Sequence, residues 1–158
     1  MICEDIGDLM TQARAGSSWM GLDLGTKTIG VAVSDRLLSS ATPLHTIRRV
    51  KFSKDAEALL QIIADREIGA IILGLPRNMD GSEGPRCQST RAFVRNLARL
   101  TDLPIGYWDE RLSTVAAERA LLEADTSRKR RAEVIDTVAA GYILQGALDR
   151  ARHIRAVP

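Results

Sequence analysis

Residues 19–35, WMGLDLGTKTIGVAVSD, are the most informative stretch of this 158-residue sequence. Positions 19–24 are mostly apolar, a turn rich in glycine and threonine follows at 25–28, and valines alternate with smaller residues over 29–34. Such alternation is typical of a half-buried strand. The stretch therefore predicts two strands joined by a tight turn.

Asp23 lies in the middle of the first of these strands. A carboxylate is costly to bury there unless it is paired or binds a metal. Gly21 and Gly25 share its face of the strand, and the absence of side chains at both positions indicates that a ligand approaches closely. A solvated face, or a turn capped by Asp23, is the alternative interpretation.

The rest of the chain continues the pattern of an α/β domain. We expect a strand at 44–50, a helix at 54–67 capped by Ser53, a buried strand at 70–75, a helix from Pro85 to about 100, a strand at 105–109, and helices at 114–123 and about 131–150. This order predicts a five-stranded mixed sheet, an antiparallel meander of three strands followed by parallel strands, with helices on both faces. We expect residues 1–18 to form an N-terminal extension with a short helix, 19–150 a single domain, and 151–158 a C-terminal tail.

Composition fits one globular domain, with 45% hydrophobic and 27% charged residues. No apolar run is long enough for a transmembrane helix, and residues 1–18 lack the basic start and apolar core of a signal peptide. We therefore expect a cytoplasmic protein without a membrane partner. Cys3 and Cys87 are far apart and the two histidines are scattered, which argues against a zinc site and predicts free thiols. Any metal would then be held by oxygen, which favours Mg²⁺ or Mn²⁺.

Positive charge is unevenly distributed along the chain, although the net charge is only +2. Four arginines and no acidic residue lie between positions 86 and 99, and the sequence RKRR occupies 128–131. Aromatic residues make up only 4% of the chain, so a surface that stacks bases is not expected. If the protein binds nucleic acid, it does so mainly through phosphates.

Two further stretches carry acidic residues that suit a metal site. Asp109 and Glu110 end the last predicted strand, and such strand ends often bind ligands. Adjacent residues point to opposite faces, so only one of the two can join Asp23. Asp136 is a lone charge on a mostly apolar helix, with Glu133 one turn away as a candidate fourth carboxylate. Three acids on two strands and a helix predict a two-metal phosphodiester site, with surface positions for the last two as the alternative.

Four stretches of the chain resemble successive blocks of the YqgF (RuvX) family. They are GLDLGTKTIGVAVSD, GLPRNMDGSEGPRCQSTRAFVRNL, DERLSTVAAERALL and VIDTVAAGYILQ, and they span about residues 21–145 in the order of the family. The resemblance implies an RNase H-like fold and a metal-dependent endonuclease that matures the 5′ end of pre-16S ribosomal RNA. Carried over to the matching positions, it assigns the catalytic and metal-binding acids to Asp23, Glu110 and Asp136.

Basic residues near these acids are the expected contacts to nucleic acid. Lys27 follows Asp23 in the turn and is the strongest candidate for touching a scissile or neighbouring phosphate. The full set is Lys27, Arg77, Arg91, Arg95, Arg111 and Arg128, with Arg99 continuing the helix face that carries Arg91 and Arg95. A solvated surface is the alternative for that helix face and for the run that begins at Arg128.

Three other functions compete with an RNA nuclease. A Holliday-junction resolvase keeps the chemistry but cuts four-way DNA, and it should be a stable dimer, whereas we expect a monomer or weak dimer. DLGTKTIGV also suggests an ATP-using phosphotransferase, but such proteins generally need two domains of this kind. A non-catalytic RNA- or ribosome-associated adaptor would gain nothing from three acids. We therefore expect pre-16S rRNA, within the small ribosomal subunit, as the partner.

Overall fold

The computed structural model describes residues 1–113 and 128–156, and the side chains of 128–136 lie outside the description. The helix predicted at 114–123 falls outside these residues. The strands are β1 (Ile2–Cys3), β2 (Ser18–Leu24), β3 (Thr28–Ser34), β4 (Ala41–Arg48), β5 (Ile68–Leu75) and β6 (Ile105–Asp109). The helices are α1 (Ile6–Gln12), α2 (Phe52–Arg66), α3 (Pro85–Ala98) and α4 (Arg128–Ala156), and a 3₁₀ turn, Glu110–Leu112, follows β6. None of the described helices combines the length and apolar character needed to cross a membrane.

The six strands of the described residues form one mixed sheet in the order β1-β6-β5-β2-β3-β4. β2, β3 and β4 are antiparallel, whereas β5 pairs in parallel with β2 and β6. The predicted α/β class and meander are therefore confirmed, but the count of five strands is wrong. The additional strand is β1, whose Ile2 and Cys3 pair with Ile105 and Gly106. A strand of two residues is too short for an alternating pattern to reveal it.

The N-terminal residues pack against the sheet. The expected short helix is confirmed as α1, which buries Ile6 and Leu9. A Cβ atom on Gly106 of β6 would lie 3.2 Å from Leu9 Cδ1, so the glycine gives α1 room against β6. At the other end α4 continues beyond position 150 and buries Ala151. The division of the chain at 18 and 150 stays a prediction.

Helices cover both faces of the sheet, as expected. Leu22, Leu73 and other alternate residues of the central strands pack with α2 and α3 in one core cluster, while Trp19, Ile72 and Trp108 pack with α1 and α4 in a second. Every residue of β5 is buried, which agrees with the predicted strand between two layers. The face that α4 covers is the one that matters for the site described below.

The start of α2 differs from the prediction. Ser53 was expected to cap the helix, but the helix begins at Phe52, with Lys51 at the N-cap and no capping side chain. Asp55, in the first turn, instead accepts a hydrogen bond from the backbone N–H of Val50 at 3.1 Å. The Asp55 carboxylate thus holds the residues that precede the helix in place, as an N-cap side chain normally does.

The two cysteines have the predicted state. Cys3 and Cys87 are free thiols, and both are buried. Burial raises the pKa of each thiol above its ordinary value. Both are therefore core residues rather than reactive nucleophiles.

Candidate active site

One row of residues crosses the sheet near the C-terminal ends of β2, β5 and β6. On the meander side, Thr46 of β4 pairs with Gly30 of β3, and Gly30 pairs with Asp23 of β2. On the other side, Gly74 of β5 pairs with Trp108 of β6. The register between β2 and β5, continued by one residue, sets Asp23 beside Gly74. Asp23 therefore lies between two glycines on the neighbouring strands.

This row faces α4. A Cβ atom on Gly21 would lie 2.6 Å from Leu144 Cβ, and one on Gly74 would lie 2.4 Å from Ile143 Cδ1. Residues two apart in a strand share a face, so Asp23 points to the same side as Gly21. Its exposed fraction is only 3%. The space above Gly21 is filled by α4, so the expectation that this glycine admits a ligand is wrong.

Glu110 reaches the same row from the end of β6. It opens the 3₁₀ turn, is 8% exposed, and its Oε2 would lie 3.2 Å from a Cβ atom on Gly74. The carboxylate thus lies over β5, and β5 is next to the strand that carries Asp23. Neighbouring strands are about 4.8 Å apart. Asp23 and Glu110 therefore lie on the same face of the sheet, on either side of Gly74, and their assignment as site residues stays a prediction.

The Asp109 carboxylate is hydrogen-bonded to Arg111. It accepts hydrogen bonds from the backbone N–H of Arg111 at 3.0 Å and from Nη2 of Arg111 at 2.7 Å. The hydrogen bonds from Arg111 hold the pKa of Asp109 below its ordinary value. Asp109 also lines a cavity of about 550 Å³ together with Arg77 and Tyr107. Between the two adjacent acids, the geometry favours Glu110 for the row with Asp23.

Asp136 lies in α4, but its side chain is among those outside the description, as are the side chains of Glu133 and Arg128. The next residue, Thr137, forms a hydroxyl–hydroxyl hydrogen bond with Thr46, which belongs to the row. The backbone of α4 therefore carries residue 136 close to the level of Asp23. Among the side chains that are described, no three acids, histidines or cysteines are grouped closely enough to hold a metal ion.

The two described acids fit a hard divalent cation. Both supply carboxylate oxygens, the ligands that Mg²⁺ prefers. Gly30 and Gly74 flank Asp23 on the neighbouring strands, and the space over Gly74 is occupied by the Ile143 side chain and the Glu110 carboxylate. Asp23 and Glu110 could thus supply ligands to such an ion near the C-terminal ends of β2 and β6.

Three of the predicted nucleic-acid contacts are held by carboxylates. Arg91 donates to both oxygens of Glu83, at 2.6 and 2.8 Å, and to Glu4 at 3.0 Å. Arg77 lies 3.4 Å from Glu83 and 3.7 Å from Asp109, and Arg111 is bonded to Asp109 as described above. Their positive charge is therefore largely neutralised within the protein. Lys27, in the turn after β2, and Arg95, on α3, are exposed.

Two arginines that the sequence pattern did not place lie at the end of β2. Arg49 donates from Nη1 to the carbonyl of Gly25 at 2.6 Å, and Arg86 donates from Nη2 to the carbonyl of Leu24 at 3.3 Å. Arg86 belongs to the basic cluster at 86–99, and this cluster was the feature of the sequence that could have indicated it. Arg49 follows β4, and its backbone N–H bonds the carbonyl of Lys27 at 2.8 Å. Only the pairing of β3 with β4 brings it to this turn.

Comparison with known proteins finds close relatives over the whole chain. A family model described as "RuvX: Holliday junction resolvase" matches residues 17–150. A protein of Ruegeria sp. (strain TM1040) is 72% identical over 156 residues, which cover 99% of both chains. A protein of Paracoccus denitrificans (strain Pd 1222) is 70% identical over 154 residues, which cover 98% of both chains. Both relatives bear the name "Putative pre-16S rRNA nuclease".

Solved structures share the fold at low sequence identity. RuvC of T. thermophilus in complex with a Holliday junction matches with a TM-score of 0.54 at 14% identity, covering 87% of this chain and 96% of that chain. The yeast mitochondrial Holliday junction resolvase Ydc2 matches with a TM-score of 0.53 at 12% identity, covering 94% and 85%. These likenesses establish the fold alone, and it is the RNase H-like fold that the sequence resemblance implied.

Proposed function

The chain belongs to the RuvX family, and we propose that it is a metal-dependent endonuclease that hydrolyses phosphodiester bonds in the 5′-end maturation of pre-16S ribosomal RNA. One observation carries the chemistry: two buried carboxylates, Asp23 and Glu110, share one face of the sheet beside Gly74. The name that the relatives bear supports the choice of ribosomal RNA as substrate.

Asp23 and Glu110, with Asp136 as the third ligand, would hold Mg²⁺ or Mn²⁺, with two ions in the full site. The fit rests on the oxygen donors and on the shared face of the sheet that carries Asp23 and Glu110. When bound, such ions neutralise charge that develops on the phosphoryl group and lower the pKa of water. The same three acids serve as the catalytic residues of the proposal.

The chain itself contributes positioning. Asp23 is the last residue but one of β2, a strand that pairs with β3 and β5, and Glu110 is fixed by a 3₁₀ turn that Asp109 caps. α4 covers the sheet next to Asp23, because Ile143 packs on Gly74 and Leu144 packs on Gly21. Water and substrate therefore reach the carboxylates from the strand ends, where Lys27 is exposed.

Cleavage of a 5′-extended 16S precursor fragment tests the proposal. We expect Mg²⁺-dependent cutting by the wild-type protein and its loss in Asp23→Asn. Asp102→Asn is the matched control, because this exposed acid precedes β6 and so lies at the opposite edge of the sheet. The proposal would be refuted if the wild-type protein failed to cut both the free precursor RNA and the precursor RNA within the small ribosomal subunit. It would also be refuted if the Asp23→Asn variant still cut.

The neighbouring acids offer a second test. Glu110→Gln should abolish cleavage, since its carboxylate belongs to the row with Asp23. Asp109→Asn should retain Mg²⁺-dependent cleavage, because its carboxylate is bonded to Arg111. The opposite result would move the metal site from Glu110 to Asp109.

A second candidate function is resolution of four-way DNA junctions, which the description of the matching family model favours. It uses the same acids, so the substrate decides between the two. A four-way junction is therefore assayed beside the RNA, and the solution mass is measured with it. Junction cutting by a stable dimer, with the precursor RNA intact, would establish the resolvase instead.

A further inference from the structure

We propose that Arg49 and Arg86 form a phosphate cradle at the end of β2, which holds a backbone phosphate of the RNA next to the one that is cut. The inference rests on the proposed nuclease function. It adds two residues that position the substrate strand and that are not among the predicted nucleic-acid contacts.

The two guanidinium groups meet at the strand that carries Asp23. They donate to the carbonyls of Leu24 and Gly25, the first and second residues after Asp23. A strand rises about 3.3 Å per residue, so both contacts lie within about 7 Å of Asp23 along the chain. Asp23 points to the α4 side of the sheet, whereas Arg49 packs on Phe93 of α3 on the other side. A phosphate on these groups would therefore lie at the end of β2, around the strand end from the scissile position.

The charge of this pair is the reason to single it out. Arg77, Arg91 and Arg111 each lie against carboxylates. Arg86 donates to a neutral carbonyl instead and forms no ion pair among the side chains that the structure describes. Arg49 forms a longer ion pair with Asp55, at 3.9 Å. Positive charge therefore remains at the end of β2, where exposed Lys27 adds to it.

Arg49 is held in place before any ligand binds. Its guanidinium lies 5.9 Å from the centroid of the Phe93 ring, and Phe52 packs edge-on against that ring at 5.4 Å. About 31% of the Arg49 side chain remains exposed. An arginine carries five N–H donors in a planar fork that matches phosphate. A fork that is already ordered loses less entropy on binding.

Salt dependence of RNA binding separates a phosphate contact from a purely structural role. Binding of the precursor fragment is measured in the Asp23→Asn background, so that the RNA stays intact. Loss of one phosphate contact to a single strand lowers the slope of log K against log salt by about 0.7. We expect this change for Arg86→Gln, with about tenfold weaker binding at low salt. Arg86→Lys should restore the slope.

Arg66→Gln is the matched control, because Arg66 is exposed at the end of α2, on the opposite edge of the sheet. It removes the same charge and should leave the slope unchanged. Arg49→Lys keeps the charge but loses the fork, so the slope should persist while binding weakens by about tenfold. Thermal unfolding of each variant confirms that the protein is folded.

The results separate this inference from the proposed function. If the wild-type protein cuts the precursor while Arg86→Gln matches Arg66→Gln in slope, the cradle is wrong and the nuclease stands. If the wild-type protein neither binds nor cuts the RNA, both the nuclease proposal and the phosphate cradle are wrong. A slope change that is seen with junction DNA but not with RNA would overturn the assignment to RNA.

Discussion

Alanine at position 74 tests how closely Glu110 and α4 are packed over β5. The new methyl carbon would lie 2.4 Å from Ile143 Cδ1 and 3.2 Å from Glu110 Oε2. The first distance is far below a van der Waals contact, and overpacking of a core costs about 1–3 kcal/mol. Replacing glycine in a strand returns roughly 0.5–1 kcal/mol. We expect a net loss of about 1–2 kcal/mol, or a fall in Tm of about 2–8 °C.

The effect on cleavage should be separable from the effect on stability. In the double variant Gly74→Ala, Ile143→Val, the clashing Cδ1 atom is absent, so the double variant should be no less stable than Gly74→Ala alone. The contact with Glu110 persists in both. A contact of 3.2 Å requires the carboxylate to shift by a few tenths of an ångström. Since a misplacement of about 1 Å costs on the order of a hundredfold in rate, we expect a loss of cleavage of roughly severalfold that persists in the double variant.

Thermal unfolding and Mg²⁺-dependent cleavage of the precursor RNA are measured on the same preparations. Gly141→Ala serves as the control, because Gly141 lies on α4, which packs on Gly74, and a Cβ atom there would meet Pro43 Cγ at 3.3 Å rather than Glu110. An unchanged Tm for Gly74→Ala would refute the close packing of α4. Wild-type cleavage in the double variant would show that the methyl group acts only through Ile143 and that Glu110 is not confined by Gly74.

Three further predictions concern packing, pH and thiol reactivity. Gly146→Ala should cost about 1–3 kcal/mol in urea unfolding, since its Cβ atom would lie 2.6 Å from the Trp108 ring. Because hydrogen bonds from Arg111 lower the pKa of Asp109, their stabilisation is present above the unfolded pKa near 3.9 and is lost as the pH falls through the lower folded value. Asp109→Asn should thus have a lower free energy of unfolding than the wild-type protein at pH 7. The difference between the two free energies should become smaller at low pH. Cys87 should react with a thiol reagent only after unfolding, because it is fully buried and its pKa is raised.

Much of the fold follows from local patterns in the sequence. β6 begins and ends at the predicted residues, and α3 begins at Pro85 as expected. Such segments are readable because a buried face imposes a period of two or 3.6 residues on the chain. β1 escaped prediction because two residues cannot show a period. Its place depends on the exposed edge of β6, which no local pattern reveals.

The site was only partly readable for a related reason. A lone carboxylate among apolar residues singled out Asp23, and its burial agrees with that reasoning. The choice between Asp109 and Glu110 depended on the 3₁₀ turn after β6, which the sequence did not reveal. In that turn the Asp109 carboxylate contacts Arg111, whereas the Glu110 carboxylate lies over Gly74. Arg91 was selected for its position on a helix face, but its two carboxylate partners are 8 and 87 residues away. Partners at such separations leave no periodic signal.

The glycines of the sheet serve two purposes, and position along the strand decides which. At Gly21, one turn of α4 fills the gap with Ala140 and Leu144, so the missing side chain lets a helix pack closely. At Gly74, nearer the strand end, Ile143 and the Glu110 carboxylate share the space. The same substitution to alanine should therefore lower stability at both positions, but it should impair cleavage through a direct contact only at Gly74. A glycine beside an acid in a strand indicates a site only when the strand ends there.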